Sequence, residues 1–495
     1  MSISWNDEDP PPPPVTEADF PVGSTATKPP KKANGELPHD DEISEESLPL
    51  PAAFSEEALT GAWVERHAKD WRFVDELDRW YRWTGFTWEH ERKREHFYLA
   101  RNICREALTW KGANELSEGG RRSLGRASTA AAVISNLRSQ PDIALHAEDL
   151  DADPFLLATP EGVVDLRLGK LLEASREAYC TKCTAIAPKR GDLPLWRSII
   201  ERAARGDQGM LAYLQRWSGY FLTGDTKEEG LMFVHGPGGS GKSTFVRVLS
   251  EVLGTYSRAC NMDAFTNRDR SEHSTEIAKL AGARLVTATE TDAGAKWNEP
   301  RIKQLTGRDK IAARFMRQDE FEFMPTFKII IAGNHRPGLK TVGEEMRRRM
   351  HLIEFPDTIA IEERNADLPQ QLRSEYPAIL QWMIDGCLEW QQQGLGKPER
   401  VIEDTEQYLQ GHDVLGSWIG EYITRTQGIS ARVSDCHKRF KAFAKDRGEF
   451  EPSLTRFSED MQARGWETFK NSVMFFRDCS LNPPVQEAYD NYRNN

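Results

Sequence analysis

Four glycines, a lysine and two serines crowd into the run GPGGSGKS, Gly236 to Ser243, inside LMFVHGPGGSGKSTFVRVLSEVLG. Gly236, Gly238, Gly239 and Gly241 permit backbone conformations that a side chain blocks, so successive N–H groups can turn inward around an anion. Pro237 and Ser240 complete the loop. Lys242 can then reach the outer phosphates of a nucleotide, Ser243 can offer its hydroxyl to Mg²⁺, and Thr244 opens a helix whose positive end faces the anion. Every fixed position of G-x-x-x-x-G-K-[ST] is filled, which predicts a P-loop with ATP and Mg²⁺ as ligands.

Three further groups supply what hydrolysis needs next. ARLVTATETD delivers Glu290, with Asp292 two residues on, from the end of an apolar strand; a carboxylate there can hold the Mg²⁺ water shell or polarise the attacking water. This strand is expected beside the loop lysine in a parallel sheet. The strand KIIIAGN ends in Asn334, whose amide suits a polar sensor beside the terminal phosphate. EEMRRRMHLIEF places Arg347, Arg348 and Arg349 ahead of another apolar strand, and a guanidinium can neutralise charge developing on the transferring phosphate, often from the neighbouring subunit. The sequence alone leaves the choice among the three open.

These groups require a scaffold of strands and helices. Residues 231–234 form an apolar run of strand length, and Phe245, Val248, Leu249, Val252 and Leu253 recur at helical spacing until Gly254. Two helical patterns, LWRSIIERAARG and GMLAYLQRWSGYFLTG, lead into the loop strand as a collar, and residues 368–393 are expected to be helical.

The 495 residues carry a net charge of -12, but residues 1–60 alone hold 13 acidic and 3 basic side chains. With five prolines at 10–14 and the acidic run at 40–46, residues 1–58 are expected to be a disordered tail. Residues 301–350 reverse the sign, with 12 Lys/Arg against 6 Asp/Glu. Lys303, Lys310, Arg314 and Arg317, with Phe315 among them, suit a loop or hairpin that tracks a phosphate backbone with one stacking side chain.

In the N-terminal part, Trp71, Trp80, Trp83 and Trp88 surround Gly85 as an aromatic hairpin; base stacking is one reading, and packing of a small core is the stronger one because the tryptophans alternate as strand positions do. The Asp151/Asp153 pair before Pro154 and the lone Cys180/Cys183 pair lack the context that metal chemistry needs. Seven irregularly spaced cysteines fit free thiols in a reducing, cytoplasmic setting, and no run reaches membrane-spanning length. The last segment, 410–495, runs helix, helix, helix, hairpin, the order of a winged-helix module; Lys438, Arg439, Lys441, Lys445 and Arg456 suit phosphate contacts, and a protein-docking wing is the alternative reading.

From about Trp71 to Phe355 the chain resembles superfamily 3 helicases of the poxvirus-type primase-helicase branch found in phages, satellite phages and plasmids. The resemblance is carried by WTGFTWE, LQRWSGYFLTGDT, GPGGSGKST, TETD, IKQLTGRDKIAARF, FKIIIAGNHRP and RRMHLIEF. It implies an α/β P-loop NTPase core of AAA+-like type at 194–393 with its collar, an α+β N-terminal associated domain at 59–193 and the winged-helix-like module. It implies Glu290 as the Walker B carboxylate, Asn334 as sensor, Arg348 or Arg349 as the finger, and Lys303, Lys310 and Arg314 on a channel-facing hairpin. It further implies a homo-hexameric ring acting on single-stranded or forked DNA alongside a separate primase or other replication proteins, without a membrane. The split of Glu290 and Asp292 by Thr291 departs from the adjacent acids of many relatives, and the short tail predicts no priming activity. An ATP-switched origin-binding initiator without unwinding is the competing function.

Overall fold

The computed structural model describes residues 51–266, 273–289, 296–315, 319–339, 343–447 and 451–482. The predicted tail is therefore outside the described residues, apart from its last few positions.

Five fully parallel strands form the central sheet in the order Met350–Glu354, Leu231–His235, Lys328–Gly333, Leu285–Thr289 and Ser257–Ala259. In the first four of these strands nearly every side chain is buried, on both faces, which is why those stretches read as continuous apolar runs rather than alternating ones, whereas the edge strand Ser257–Ala259 is largely exposed. On one face Met232, Val234, Ile330 and Ile353 pack against the helix Lys242–Leu253 and the collar; on the other Leu231, Phe233, Val286 and Ile331 meet Trp297, Ile302 and Tyr408. One expectation is corrected. The strand leading to Glu290 is not the neighbour of the loop strand, because Lys328–Gly333 inserts between them and pairs with both. Local sequence marks a strand's existence, whereas its place in the sheet is decided by long-range pairing.

The collar consists of Pro194–Ala204 and Gln208–Tyr220, and the second of these helices lies against Tyr376–Gln393. Glycines set that contact. A Cβ on Gly219 would stand 2.1 Å from Cys387 N, and one on Gly386 would stand 2.3 Å from Gln215 O, so the two backbones touch directly. The collar is also pinned to the sheet by buried cations: Arg284 Nη1 donates to Leu222 O at 2.6 Å, and Lys328 Nζ donates to Thr223 O while lying 4.8 Å from the Tyr220 ring.

In the N-terminal part, Trp71–Val74, Arg79–Trp83 and Trp88–His90 form an antiparallel meander, with Ala144–Leu145 added in parallel. All four tryptophans are buried, as the packing reading expects. Asp153 accepts both Nη atoms of Arg167, Asp151 accepts from Thr181 N at 2.7 Å, and burial pushes the thiols of Cys180 and Cys183 up to about 12. These groups hold loops together, and among the described residues no cluster is arranged for a metal. The C-terminal part has its own core around Trp418 and Phe457, built by Val414–Tyr422, Val433–Asp446 and Leu454–Ala463 with a three-stranded sheet that includes the hairpin Thr468–Asn471/Val473–Phe476.

Gly219→Ala should force the collar helices apart and cost about 3 kcal/mol, read as a fall of several degrees in thermal midpoint. An unchanged midpoint would mean that the close helix contact is not under steric load.

Candidate functional site

In a parallel sheet all strand ends of one kind collect on one edge. The loop 236–241 leaves the carboxyl end of Leu231–His235 and enters the helix Lys242–Leu253 at once. Positive φ at Gly236 (140°), Gly239 (77°) and Gly241 (93°) curls the loop over the helix start. Gly236 is also confined: a Cβ there would meet Phe355 O at 2.1 Å. Gly238 departs from the expectation that all four glycines are needed for the curl. Its φ is not positive, it is exposed on the crest, and a Cβ there would meet no atom within 4 Å, so neither backbone conformation nor space demands glycine at that position. It occupies one of the variable places of the motif, and the turn is made by its neighbours. Ile359 N donates to Gly239 O at 3.0 Å, so the segment after the edge strand ties down the loop's crest.

Lys242 lies buried beneath this crest, and its Nζ donates to Gly236 O and Pro237 O at 2.8 Å and to Ser240 Oγ at 3.2 Å. Burial pulls its pKa below the ordinary lysine value. Three neutral acceptors hold this ammonium, and an anion within the loop would be a stronger partner than any of them. Ser243 opens onto a cleft of about 370 Å³ lined also by Arg247, Ser250, Glu251, Thr287, Thr289 and Ala332. That cleft brings together the loop helix, the last residue of the strand before Glu290, and the strand that ends before Asn334. The donor set and the curl at Gly236, Gly239 and Gly241 fit a phosphate with a hydroxyl-bound cation.

Asn334 follows the strand end Gly333 and is exposed, one strand over from the loop. Glu290, Asp292 and Arg317 lie outside the described residues.

The arginine cluster lies at the opposite edge. Met350 pairs with Leu231, the first residue of the loop strand, so Arg347, Arg348 and Arg349 on the short helix Glu344–Arg349 stand at the amino ends of the strands. The loop is separated from them by the length of Leu231–His235, about 15 Å. The three arginines differ in burial, and two of them share a partner. Arg349 is buried and donates to Glu229 Oε2 at 2.7 Å, Thr306 Oγ1 at 3.1 Å and Glu345 O at 3.1 Å. Arg347 pairs with Glu406 and Glu344. Arg348, with 60% of its side chain exposed, makes a 3.1 Å contact with Glu229 Oε2. Glu229 thus orients two of the three arginines, a role that no motif in the sequence announces.

The predicted hairpin is present: Ile311–Arg314 pairs antiparallel with Glu320–Phe323. Lys310 and Arg314 are exposed on it, Lys310 3.9 Å from Glu322, whereas Lys303 sits on the preceding helix in an ion pair with Glu345. Phe315 differs from expectation. Its ring stacks on Phe321 at 5.7 Å and is partly buried against the core, so it braces the hairpin instead of presenting a free stacking face.

His235, the residue just before the loop, is buried with Nε2 lacking a partner among the described residues. Burial, then the positive field of Arg336, Lys242 and Arg400, holds its pKa down at about 4. Unfolding releases the imidazole to its ordinary 6.5, so the unfolded chain binds the extra proton and stability is lost as pH falls from about 6.5 to about 4. His235→Gln should remove up to about 3 kcal/mol of that acid loss. Matching slopes of midpoint against pH for the two proteins would disprove it.

Comparison with known proteins gives two family matches: "D5 N terminal like" at residues 61–204, and a family of unknown function, DUF5906, at residues 234–349. The chain is 24% identical over 313 residues to "Putative helicase L207/L206" of Acanthamoeba polyphaga mimivirus, covering 58% of this chain and 32% of that protein. It is 22% identical over 257 residues to "Putative helicase 022R" of Frog virus 3 (isolate Goorha), covering 48% and 26%. The chain thus spans about a third or less of the length of these relatives. Among solved structures, the apo A form of the NrS-1 C-terminal region aligns over 82% of this chain and 94% of that one at 11% identity, with a TM-score of 0.45. The chain is thus similar to D5 N-terminal-like sequences over residues 61–204 and, in part, to two viral proteins named as putative helicases.

Proposed function

We propose that this protein is an ATP-dependent DNA helicase of a phage, prophage or plasmid replication system, a homo-hexameric ring of superfamily 3 type that hydrolyses ATP between subunits. The observation that carries the reading is the separation of loop and arginines across the length of the sheet. A guanidinium at the amino ends of the strands is out of reach of a phosphate held at the carboxyl ends of the same sheet, so it serves a phosphate on a neighbouring copy.

In this reading the 236–241 amides and Lys242 bind the phosphates of ATP, and Asn334 orients water at the adjacent strand end. Ser243, with Glu290 and Asp292, would hold Mg²⁺, which neutralises phosphate charge when bound. Arg348 is the finger: it is the exposed member of the cluster, and Glu229 holds it ready, while Arg349 braces the helix beneath it. Lys310 and Arg314 on the hairpin, with Lys303 at its base, contact the phosphate backbone of single-stranded DNA, and Arg317 is assigned the same role from its place in the sequence. The C-terminal helices and hairpin act as a winged-helix module. Its surface cations are unevenly available, since Lys441 is paired with Glu451 at 3.0 Å and Arg456 lies 3.9 Å from Asp460.

Subunit mixing tests the shared site. Lys242→Ala and Arg348→Ala should each lose at least about a hundredfold in ATP turnover. Mixed together they should regain activity, because some interfaces then join an intact loop to an intact arginine; no recovery on mixing would refute the shared site. Separately, replacing Lys310 and Arg314 together by alanine should bring the ratio of ATP turnover with and without single-stranded DNA down toward one, and a forked-duplex displacement assay should show the matching loss. A ratio equal to that of the unaltered protein would count against the hairpin.

A further inference from the structure

The helix Glu95–Glu106 turns Ala100, Ile103 and Cys104 into the N-terminal core, and Ala107 follows them. Residues 94, 98, 101 and 105 recur at steps of four, three and four, so they share one strip on the side away from that core. Arg94, Tyr98, Arg101 and Arg105 are all exposed, Tyr98 at 57%. Arg92 and Lys93 lead into the strip, and both are exposed.

The helix carries acids, but they are engaged elsewhere. Glu95 takes Arg82, and Glu106 accepts both Nη atoms of Arg66 from the neighbouring helix Glu56–His67. Among the described residues, Arg94, Arg101 and Arg105 make no ion pair. Residues 92–138 hold ten Lys/Arg against four Asp/Glu in a chain whose net charge is -12. Arg101 and Arg105 stand one helical turn apart, an arrangement of like charges that weakens a helix and that folding does not require. Between the cations sits an exposed aromatic ring, whereas all four tryptophans of the nearby meander are buried.

Resting on the helicase reading, we propose that this strip is a second binding surface for single-stranded nucleic acid, outside the ATPase core. Arg94, Arg101 and Arg105 contact successive phosphates along about 16 Å of helix, and Tyr98 stacks on a base. An exposed stacking side chain within a cationic row favours a single strand over a duplex, whose bases are already stacked.

The test uses the full chain and a fluorescein-labelled oligothymidylate, titrated at several salt concentrations. Arg101→Gln combined with Arg105→Gln should weaken binding roughly tenfold at low salt and reduce the slope of log K against log salt by about 1.4, the value for two lost phosphate contacts on a single strand. Tyr98→Ser should weaken binding roughly fivefold or more, and Tyr98→Phe should keep it. Circular dichroism and gel filtration verify that each exposed substitution leaves the fold and assembly unchanged. If the unaltered protein binds the oligonucleotide and the variants match it in affinity and salt slope, this surface is refuted while the helicase reading stands. If the unaltered protein binds no single strand at any salt, both fall.

Discussion

One constraint governs the arrangement of chemistry in this protein: all five central strands run the same way. Whatever follows a strand collects on one edge of the sheet, and whatever precedes it collects on the other. The loop 236–241, Asn334 and the cleft lined by Thr289 therefore converge, although nearly 100 residues separate them in the chain. The same rule drives the three arginines away from them, because they come before their strand and not after it. Convergence and exclusion have one cause, and the proposal of a site shared between copies rests on both.

At the excluded edge, Glu229 does for the arginines what the glycines do for the loop. It lies just before the loop strand and receives Arg349 at 2.7 Å and Arg348 at 3.1 Å. Arg349 is almost wholly enclosed, and its three hydrogen bonds offset the cost of burying a guanidinium. Arg348 contributes little to folding by its exposed contact. It is free to exchange Glu229 for a more strongly charged acceptor, which a buried arginine cannot do without unmaking the helix around it. On the proposed reading, a difference in burial between adjacent residues divides structural from functional duties.

Much of this was legible in the sequence, and the parts that were not share a physical reason. The helical recurrence from Phe245 to Leu253 and the apolar strands are local patterns and appear as expected, while the basic stretch, legible as a loop or hairpin, is a hairpin that leaves Lys303 on the helix before it. Glycine spacing around Lys242 located the loop but overstated one residue, since Gly238 looks like its neighbours in sequence and differs from them only in φ and in the open space around it. The alternation of Trp71, Trp80, Trp83 and Trp88 pointed to a core, where they are found. Strand order was missed because Leu285–Thr289 carries no local mark of which strands flank it. Phe315 was misjudged because its partner, Phe321, is supplied by the returning strand. Glu229 was invisible, since a lone glutamate acquires meaning only when two arginines about 120 residues later are brought against it.

Buried cations supply the last link, between the sheet and the collar. Lys328 begins the central strand, lies fully buried, and has its pKa held well below the ordinary lysine value by burial. Its acceptors are Thr223 O and Oγ1 and Thr326 O, all neutral, and Arg284 beside it spends its guanidinium on Leu222 O and Leu156 O. Neither cation has a carboxylate partner among the described residues. Two apolar residues would fill the same volume without a desolvation cost, so these side chains are poor devices for stability alone. They are good devices for position. Each fixes carbonyls at the end of the helix Gln208–Tyr220 to the base of one strand, so a displacement of the Lys328–Gly333 strand that bears Asn334 at its far end cannot leave the collar behind. The Gly219/Gly386 contact then carries that displacement into Tyr376–Gln393 without slack, since backbone meets backbone there and no flexible side chain intervenes.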